Sequence, residues 1–251
     1  MAGPMGTMIV TGASRGIGAA TALLAGARGY AVAVNYRAER AQADAVVDRI
    51  RTAGGRALAI AGDVADESVV MNLFATAERA LGPISALVNN AGITGPFGLI
   101  ETLTAETVER VLAVNVKGSM ICAREAVRRM STRNGGTGGA IVNLSSKAAV
   151  LGSPNSWLQY AASKGAIESF TRGLAYEVAP FGIRVNAVQP GLIDTEIHAS
   201  GGGAQRLADA LPSVPMGRIG TAEEVAEAIL WLLSPAASYI TAATLPVSGG
   251  R

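Results

Sequence analysis

The sequence predicts an α/β fold in which helices cover both faces of a seven-stranded parallel sheet. Short apolar runs alternate with longer helical patterns along the 251 residues. A glycine-rich segment lies between the first apolar run and a long Ala/Leu-rich stretch, as expected for a strand, a turn and a helix. No Pro-rich linker or internal repeat interrupts the alternation. We therefore expect one doubly wound domain that spans residues 1–251.

Each predicted strand is a short apolar run followed by a helical pattern, which is typical of buried parallel strands joined by right-handed crossovers. Thr221 and Glu224 form a capping-box pattern that predicts a helix through Trp231. Long helical patterns also cover Thr104–Met130 and Tyr160–Pro180. The predicted strands are Met8–Val10, Ala31–Val34, Ala57–Ala61, Ala86–Asn89, Ala140–Ser145, Ile183–Val188 and Thr244–Val247.

Composition and charge argue against several classes of function. The formal charge of +2 gives no reason to expect nucleic acid or a membrane as a partner, and no apolar run reaches membrane-spanning length. Cys122, the only cysteine, lies in an apolar helical stretch and is expected to be a packing residue. His198 is the only histidine, which argues against a metal site and a Ser-His-Asp hydrolase. Residues 1–7 lack the features of a secretory signal, so we expect a cytoplasmic protein.

Tyr160 and Lys164 form the most informative pair in the chain. In a helix, a spacing of four residues puts both side chains on one face, one turn apart. An ammonium beside a phenol lowers the phenol pKa from about 10, and this makes tyrosine a proton donor and acceptor near neutral pH. Because such pairs also occur by chance in many helices, the meaning of this one depends on the motifs around it.

Three further segments surround that pair in the sequence. Residues Thr11–Gly18 carry glycines in a Gly-x-x-x-Gly-x-Gly pattern before a helix, whose N-terminus directs free N–H groups at an anion. An ordinary connecting loop is the alternative for this segment. Leu87–Gly92 and Asn143–Ser146 each end an apolar run. Since strand ends line the ligand crevice of a doubly wound sheet, both segments are candidate site residues, although Asn and Ser also favour turns.

Together these segments resemble the short-chain dehydrogenase/reductase family. The motifs follow the family order, from the Thr11–Gly18 loop to the Pro190–Gly191 turn and the closing Val247–Gly250. The resemblance implies a Rossmann-like fold and hydride transfer between a nicotinamide ring and a carbonyl or alcohol carbon. It also implies a catalytic set of Asn115, Ser146, Tyr160 and Lys164.

The resemblance gives each member of this set a role. Tyr160 would donate a proton to the carbonyl oxygen, and Ser146 would hydrogen-bond the same oxygen. Lys164 would hold the cofactor ribose and favour ionisation of Tyr160, while Asn115 would hold a water that links the lysine to solvent. Ser145 and Ser146 both precede the tyrosine, and the family motif favours the second serine.

Cofactor preference is predicted from the end of the second strand, where NAD-preferring members usually carry an acidic residue. Asn35 and Tyr36 lead to Arg37 without a carboxylate, and Arg15 lies in the glycine loop. Guanidinium groups match phosphate, so we expect NADP(H), with NAD(H) as a second cofactor. Alternatively, both arginines are ordinary solvated charges. The cofactor-binding residues implied by the resemblance are Gly12, Ser14, Arg15, Gly16, Ile17, Gly18, Asn35, Tyr36, Arg37, Asp63, Val64, Asn89, Ala91, Gly92, Tyr160, Lys164, Pro190, Gly191, Ile193 and Thr195.

The resemblance extends to a substrate lid at residues 194–220 and to assembly as a homodimer or homotetramer through Thr104–Met130 and Tyr160–Pro180. Packing of those helices within one chain is the alternative. Within the family, the chain is most similar to 3-oxoacyl-carrier-protein reductases and glucose-dehydrogenase-like members. Tyr176 stands where the carrier-protein reductases commonly have arginine, which argues against carrier binding.

The expected substrate is a small carbonyl or alcohol compound. Two other functions remain open. The first is an oxidative sugar or polyol dehydrogenase, because sequence does not determine the direction of the reaction. The second is a catalytically silent NADP-binding regulatory protein, against which the complete catalytic set argues.

Overall fold

The computed structural model describes residues 5–195 and 209–251. It contains a seven-stranded, all-parallel sheet. The strands are β1 (Thr7–Val10), β2 (Ala31–Tyr36), β3 (Arg56–Ala61), β4 (Ile84–Asn89), β5 (Gly139–Leu144), β6 (Ile183–Pro190) and β7 (Thr244–Val247). Their order is β3-β2-β1-β4-β5-β6-β7. Strands β2 and β3 are added on one side of β1 and strands β4 to β7 on the other, so the strand order switches between β1 and β4. The predicted α/β class and all seven predicted strands are confirmed.

The described helices connect the strands and cover the sheet. They are α1 (Gly16–Ala27), α2 (Arg40–Thr52), α3 (Glu67–Leu81), α4 (Ala105–Leu112), α5 (Ser119–Met130), α6 (Ala148–Leu151), α7 (Leu158–Val178) and α8 (Ala222–Leu233). The predicted capping box at the start of α8 is present: Thr221 accepts a hydrogen bond from the backbone of Glu224, and the Glu224 side chain accepts one from the Thr221 backbone. None of the described helices combines the length and the apolarity needed to cross a membrane.

Two apolar layers enclose the sheet because side chains alternate between its faces along each strand. Met8 and Val10 of β1 pack in one layer with α1, α2 and α8. Ile9 packs in the other layer with α3, α5 and α7. This double burial explains why the strands are nearly uniform apolar runs.

Cys122 lies in the second layer and is fully buried. Burial, reinforced by nearby Glu125, raises the pKa of the Cys122 thiol to about 12. The thiol is therefore protonated at neutral pH, as expected for a packing residue.

The helical pattern predicted over Thr104–Met130 contains a π-helical turn at Ala113–Gly118, between α4 and α5. Such wide turns often occur at functional sites. Here the turn contains Asn115, one of the expected catalytic residues.

The expected lid at residues 194–220 is described only at its two ends. An isolated parallel bridge joins Ile193 to Gly220. The Asp194 N–H donates to the Gly220 carbonyl and the Gly220 N–H donates to the Leu192 carbonyl, each at 2.9 Å. The ends of the segment are therefore held together beside the carboxyl end of β6. His198 lies outside the described residues.

Candidate active site

Two adjoining cavities lie at the carboxyl ends of the strands, where a doubly wound sheet places its ligand crevice. The larger cavity measures about 780 Å³ and the smaller about 280 Å³. Ile17, Asn90, Gly92 and Thr195 line both cavities. The arrangement suits an extended ligand with one end in each cavity.

Tyr160 and Lys164 lie in the first half of α7 and line the larger cavity. The Lys164 Nζ atom is 5.6 Å from the centre of the Tyr160 ring. Burial raises the pKa of the Tyr160 phenol, and a hydrogen bond with Ser146 offsets this only in part. The protein alone therefore raises the phenol pKa, contrary to the expectation from sequence, because desolvation outweighs the opposing effect of Ser146.

The Lys164 side chain is itself buried, with 4% exposure. Its Nζ atom donates to the Leu144 carbonyl at 2.6 Å, at the end of β5. Burial lowers the pKa of Lys164 to about 8. The ammonium still predominates at neutral pH, but it loses its proton at a lower pH than that of a solvated lysine.

The two neighbouring serines have different environments. The Ser145 hydroxyl lies within hydrogen-bonding distance of the Lys164 carbonyl (3.3 Å) and the Glu168 carboxylate (2.7 Å). Ser146 instead lies close enough to Tyr160 to act on its pKa, and the Ser146 Oγ atom accepts the Ala148 N–H at 3.1 Å. The serine chosen from the family motif is the one that contacts the tyrosine.

Asn115 is buried behind the cavities and lines neither of them. Its Nδ2 atom donates to the Ile93 carbonyl and the Ser163 hydroxyl, and its Oδ1 atom accepts the Ile93 N–H, each at 2.9 Å. Asn115 therefore joins the loop after β4 to α7. Among the described residues, its contacts with the protein are structural.

The glycine loop is held close to the end of β4. Gly12 and Gly16 have positive φ values of 61° and 54°, which glycine adopts without strain. A Cβ atom on Gly12 would lie 3.0 Å from the Ala91 Cα. The Asn90 Nδ2 atom donates to the carbonyls of Thr11 and Gly12, each at 2.9 Å. Asn90 thus shapes the loop, although it was not among the cofactor-binding residues implied by the resemblance.

Most of the expected cofactor-binding residues line one cavity or the other. Those lining the smaller cavity are Gly12, Ser14, Arg15, Gly16, Ile17, Asn35, Arg37, Asp63, Val64, Ala91, Gly92 and Thr195. Those lining the larger cavity are Ile17, Gly92, Tyr160, Lys164, Pro190, Gly191, Ile193 and Thr195. Gly18, Tyr36 and Asn89 line neither cavity.

These three residues instead have packing roles. A Cβ atom on Gly18 would lie 2.5 Å from the Gly12 carbonyl oxygen, so glycine permits the close approach of α1 to the loop. Tyr36 is buried at the end of β2. The Asn89 amide donates to the Ser119 carbonyl at 3.0 Å and to Asn143 at 2.9 Å.

Charges of both signs line the smaller cavity. Asp63 accepts the Ala65 N–H at 2.9 Å and pairs with Arg110 at 2.5 Å. Burial by itself would raise the pKa of Asp63, but the Ala65 hydrogen bond, Arg110 and the nearby Arg37 together lower it. The described lining of the cavity thus includes three arginines, Arg15, Arg37 and Arg110, and two carboxylate residues, Glu39 and Asp63.

Sequence reasoning missed Arg110 and Glu39, which also line this cavity. Arg110 is in α4, 47 residues from its partner Asp63, so no local motif indicates that they meet. Glu39 is the residue before α2 and lies two positions beyond Arg37. A search for acidic residues slightly further along the chain would have found it.

The larger cavity has an aromatic wall. Trp157 is buried and lies edge-on to Phe97, with ring centres 5.9 Å apart and an interplanar angle of 85°. Both residues line the cavity, together with Leu151 and Leu192. The cavity can therefore accommodate an apolar group beside the Tyr160 hydroxyl.

A family model described as Enoyl-(Acyl carrier protein) reductase matches residues 12–251. A short-chain dehydrogenase from Burkholderia cenocepacia J2315, solved in complex with NADP, superposes with a TM-score of 0.91 at 34% identity and covers 98% of each chain. The chain belongs to the short-chain dehydrogenase/reductase family. It is accordingly an oxidoreductase of the nicotinamide-dependent, Rossmann-like type.

Curated relatives span nearly the full chain. An uncharacterized oxidoreductase, YgfF, of Escherichia coli is 52% identical and covers 98% of this chain and 100% of its own length. Cis-4-hydroxycyclohexanecarboxylate dehydrogenase of Sinomonas cyclohexanicum is 43% identical, with coverage of 96% and 94%. Glucose 1-dehydrogenase 2 of Bacillus subtilis is 38% identical, with coverage of 97% and 93%.

Proposed function

We propose that this chain is an NADP(H)-dependent oxidoreductase that transfers hydride between nicotinamide and a carbonyl or secondary alcohol, with Tyr160 as the acid/base. The observation that carries the proposal is that Ser146, Tyr160 and Lys164 meet in the wall of the larger cavity, where the Ser146 side chain acts on the Tyr160 phenol. Bound NADP(H) supplies or accepts the hydride. The glycine loop fits a dinucleotide, since Gly12 and Gly16 line the smaller cavity without side chains that would occupy it.

The chain's own residues handle the proton. Because burial raises the pKa of Tyr160, the phenol is protonated at neutral pH and can donate to the oxygen of a carbonyl substrate. The Ser146 hydroxyl would hydrogen-bond the same oxygen and hold it next to the phenol. The Lys164 ammonium, 5.6 Å from the phenol ring, would stabilise the phenolate formed by that transfer. Asn115 would hold a water that links Lys164 to solvent.

We expect Tyr160→Phe to reduce kcat for ketone reduction by about 100-fold or more, because the variant lacks the proton donor. NADPH oxidation would be followed with ketones, aldehydes, sugars and a short 3-oxoacyl thioester. Tyr176→Phe is the matched control, since Tyr176 lies on the same helix and is 72% exposed. Equal turnover by wild type and Tyr160→Phe would contradict the proposal.

Arg37 supports the preference for NADP(H). It lines the smaller cavity and lies close enough to Asp63 to lower the pKa of that carboxyl. A guanidinium there would pair with a 2′-phosphate. The Burkholderia relative was solved with NADP.

In a fluorescence titration we expect the Kd for NADPH to be at least about tenfold lower than that for NADH, a difference of about 1.4 kcal/mol. Arg37→Met should remove most of this difference. Equal affinities of the wild type for the two cofactors would overturn the preference and leave NAD(H) as an equivalent cofactor.

The alternative functions give different results in the same assays. A silent regulatory protein would bind NADPH without turning over any ketone or alcohol. An oxidative dehydrogenase would reduce NADP⁺ with a sugar, polyol or other secondary alcohol, as the names of the Bacillus and Sinomonas relatives suggest for those proteins.

The basic residues on α5 give little support to a carrier-protein substrate. Arg124, Arg128 and Arg129 all pair with the buried carboxylate of Glu125, at 2.8 to 3.1 Å. Their charges are therefore partly neutralised within the chain. These arginines therefore give little reason to expect an acidic protein as the substrate carrier.

We also propose that residues 194–220 form a substrate lid in a single catalytic domain of residues 1–251. The bridge between Ile193 and Gly220 supports this, because it holds the two ends of the segment beside the larger cavity. We expect the enzyme to act in the cytoplasm as a homodimer or homotetramer.

A further inference from the structure

We infer that the larger cavity recognises a carboxylate on the substrate through Lys147 and Arg251. The inference rests on the proposed function, since the same cavity would hold the reacting carbonyl. Both residues line this cavity and both are half-buried. Neither residue has a role in the proposed proton transfer. The cofactor does not account for them either, because the nicotinamide carboxamide is uncharged and the glycine loop lines the smaller cavity.

Lys147 is positioned by the backbone at the end of β5. It directly follows Ser146, and its N–H donates to the Pro190 carbonyl at 2.9 Å. Its own carbonyl accepts the Leu151 N–H at 3.0 Å, so the residue begins the short helix α6. Lys147 is therefore anchored next to the hydroxyl that contacts Tyr160.

A turn at Gly249 and Gly250 places Arg251 at the larger cavity. Gly249 and Gly250 have φ values of 62° and 91°, which reverse the chain after β7. The Met216 N–H donates to the Gly249 carbonyl at 3.0 Å, and the Ser248 hydroxyl donates to the Arg251 carbonyl at 3.1 Å. Residues 249–251 therefore pack against residues 214–216 of the same chain.

The balance of charge in the cavity favours an anion. In the described part of the chain, neither Lys147 nor Arg251 takes part in an ion pair. Asp209 has the one carboxylate side chain among the described lining residues, and it already has a partner of its own. Two cations are thus left facing a cavity whose other walls include Phe97 and Trp157.

This combination fits a carboxylate attached to an apolar body. A guanidinium donates hydrogen bonds to both oxygens of a carboxylate, and an ammonium donates a third charge-assisted hydrogen bond. The aromatic and aliphatic walls would bury a ring or chain of the substrate. The substrate class is therefore a keto acid or hydroxy acid with an apolar frame.

Binding to the NADP⁺-loaded enzyme tests the inference without relying on turnover. Isothermal titration calorimetry would compare benzoate, phenylacetate and 3-phenylpropionate with the corresponding neutral amides. We expect at least one acid to bind about tenfold more tightly than its amide. Lys147→Met and Arg251→Met should each raise the Kd of that acid about tenfold.

Arg49→Met is the control, because it removes the same charge from an exposed position that lines neither cavity. Retained NADP⁺ binding by each variant would establish that it folds. The inference is overturned if no acid binds, if acids and amides bind equally, or if Arg49→Met weakens binding as much as the two cavity variants. Loss of carboxylate preference with Tyr160-dependent ketone reduction intact would leave the proposed function standing.

Discussion

Burial acts on Tyr160 and Lys164 in opposite directions, because it disfavours the charged form of each. It raises the pKa of the phenol and lowers that of the ammonium to about 8. A Tyr-x-x-x-Lys spacing indicates which two residues act together, but it contains no information about their desolvation. The groups that surround them, such as Leu144 and Ser146, come from a strand end more than ten residues away.

Lys164 should make stability depend on pH. Its pKa is about 8 in the folded chain and 10.5 as its ordinary value, so the unfolded chain binds more protons between these pH values. Its stability cost is therefore fully present below pH 8 and falls as pH rises. Relative to Lys164→Met, we expect wild type to gain about 2 kcal/mol in unfolding free energy from pH 7 to 10.

Urea denaturation at several pH values would measure this difference. Lys117→Met is the control because Lys117 is exposed. A pH-independent difference between wild type and Lys164→Met would show that Lys164 is not desolvated in the folded protein.

The helix α5 shows how one element can neutralise its own charge. Glu125 has 4% side-chain exposure and accepts hydrogen bonds from Arg124, Arg128 and Arg129. Burial by itself would raise the pKa of Glu125, but the three arginines lower it. The helical spacing makes the pairs with Arg128 and Arg129 predictable, whereas the burial of Glu125 depends on packing against α3 and the sheet.

We expect Glu125→Ala to destabilise the fold by about 3 kcal/mol, because it removes the buried carboxylate with which three arginines pair. Glu78→Ala is the matched control: Glu78 also pairs with Arg129, but its side chain is 46% exposed, and its loss should cost under about 1 kcal/mol. Chemical denaturation at pH 7 would compare them. Equal losses would mean that burial of Glu125 contributes nothing. Because the folded pKa is depressed, the Glu125 effect should fade as pH falls below the ordinary carboxyl pKa of 4.5.

At the scale of the whole molecule, apolar side chains remain exposed on the outer helices. Leu112, Met120 and Tyr176 are exposed by 40%, 38% and 72% on α4, α5 and α7. A second copy of the chain would bury this surface and supply the free energy of assembly. The same helices have inner faces in the core, so both functions predicted for them are compatible.

Light scattering after size exclusion should give a mass of at least twice 25.4 kDa. Met120→Glu should shift the protein towards the monomer, because it would bury a charge in the interface. Met71→Glu, on the exposed face of α3, should not. A monomeric wild type would contradict the proposed assembly.

The sequence by itself determined the strands, the capping box of α8, the glycine loop and the identity of the Tyr160–Lys164 pair. All of these depend on residues close together in the chain, whose periodicity and spacing are visible directly. Only the tertiary structure decided that Ser146 contacts Tyr160, that Arg110 meets Asp63, and that Lys147 and Arg251 share one cavity. Those contacts, and the pKa shifts that follow from burial, depend on how distant segments pack against one sheet edge.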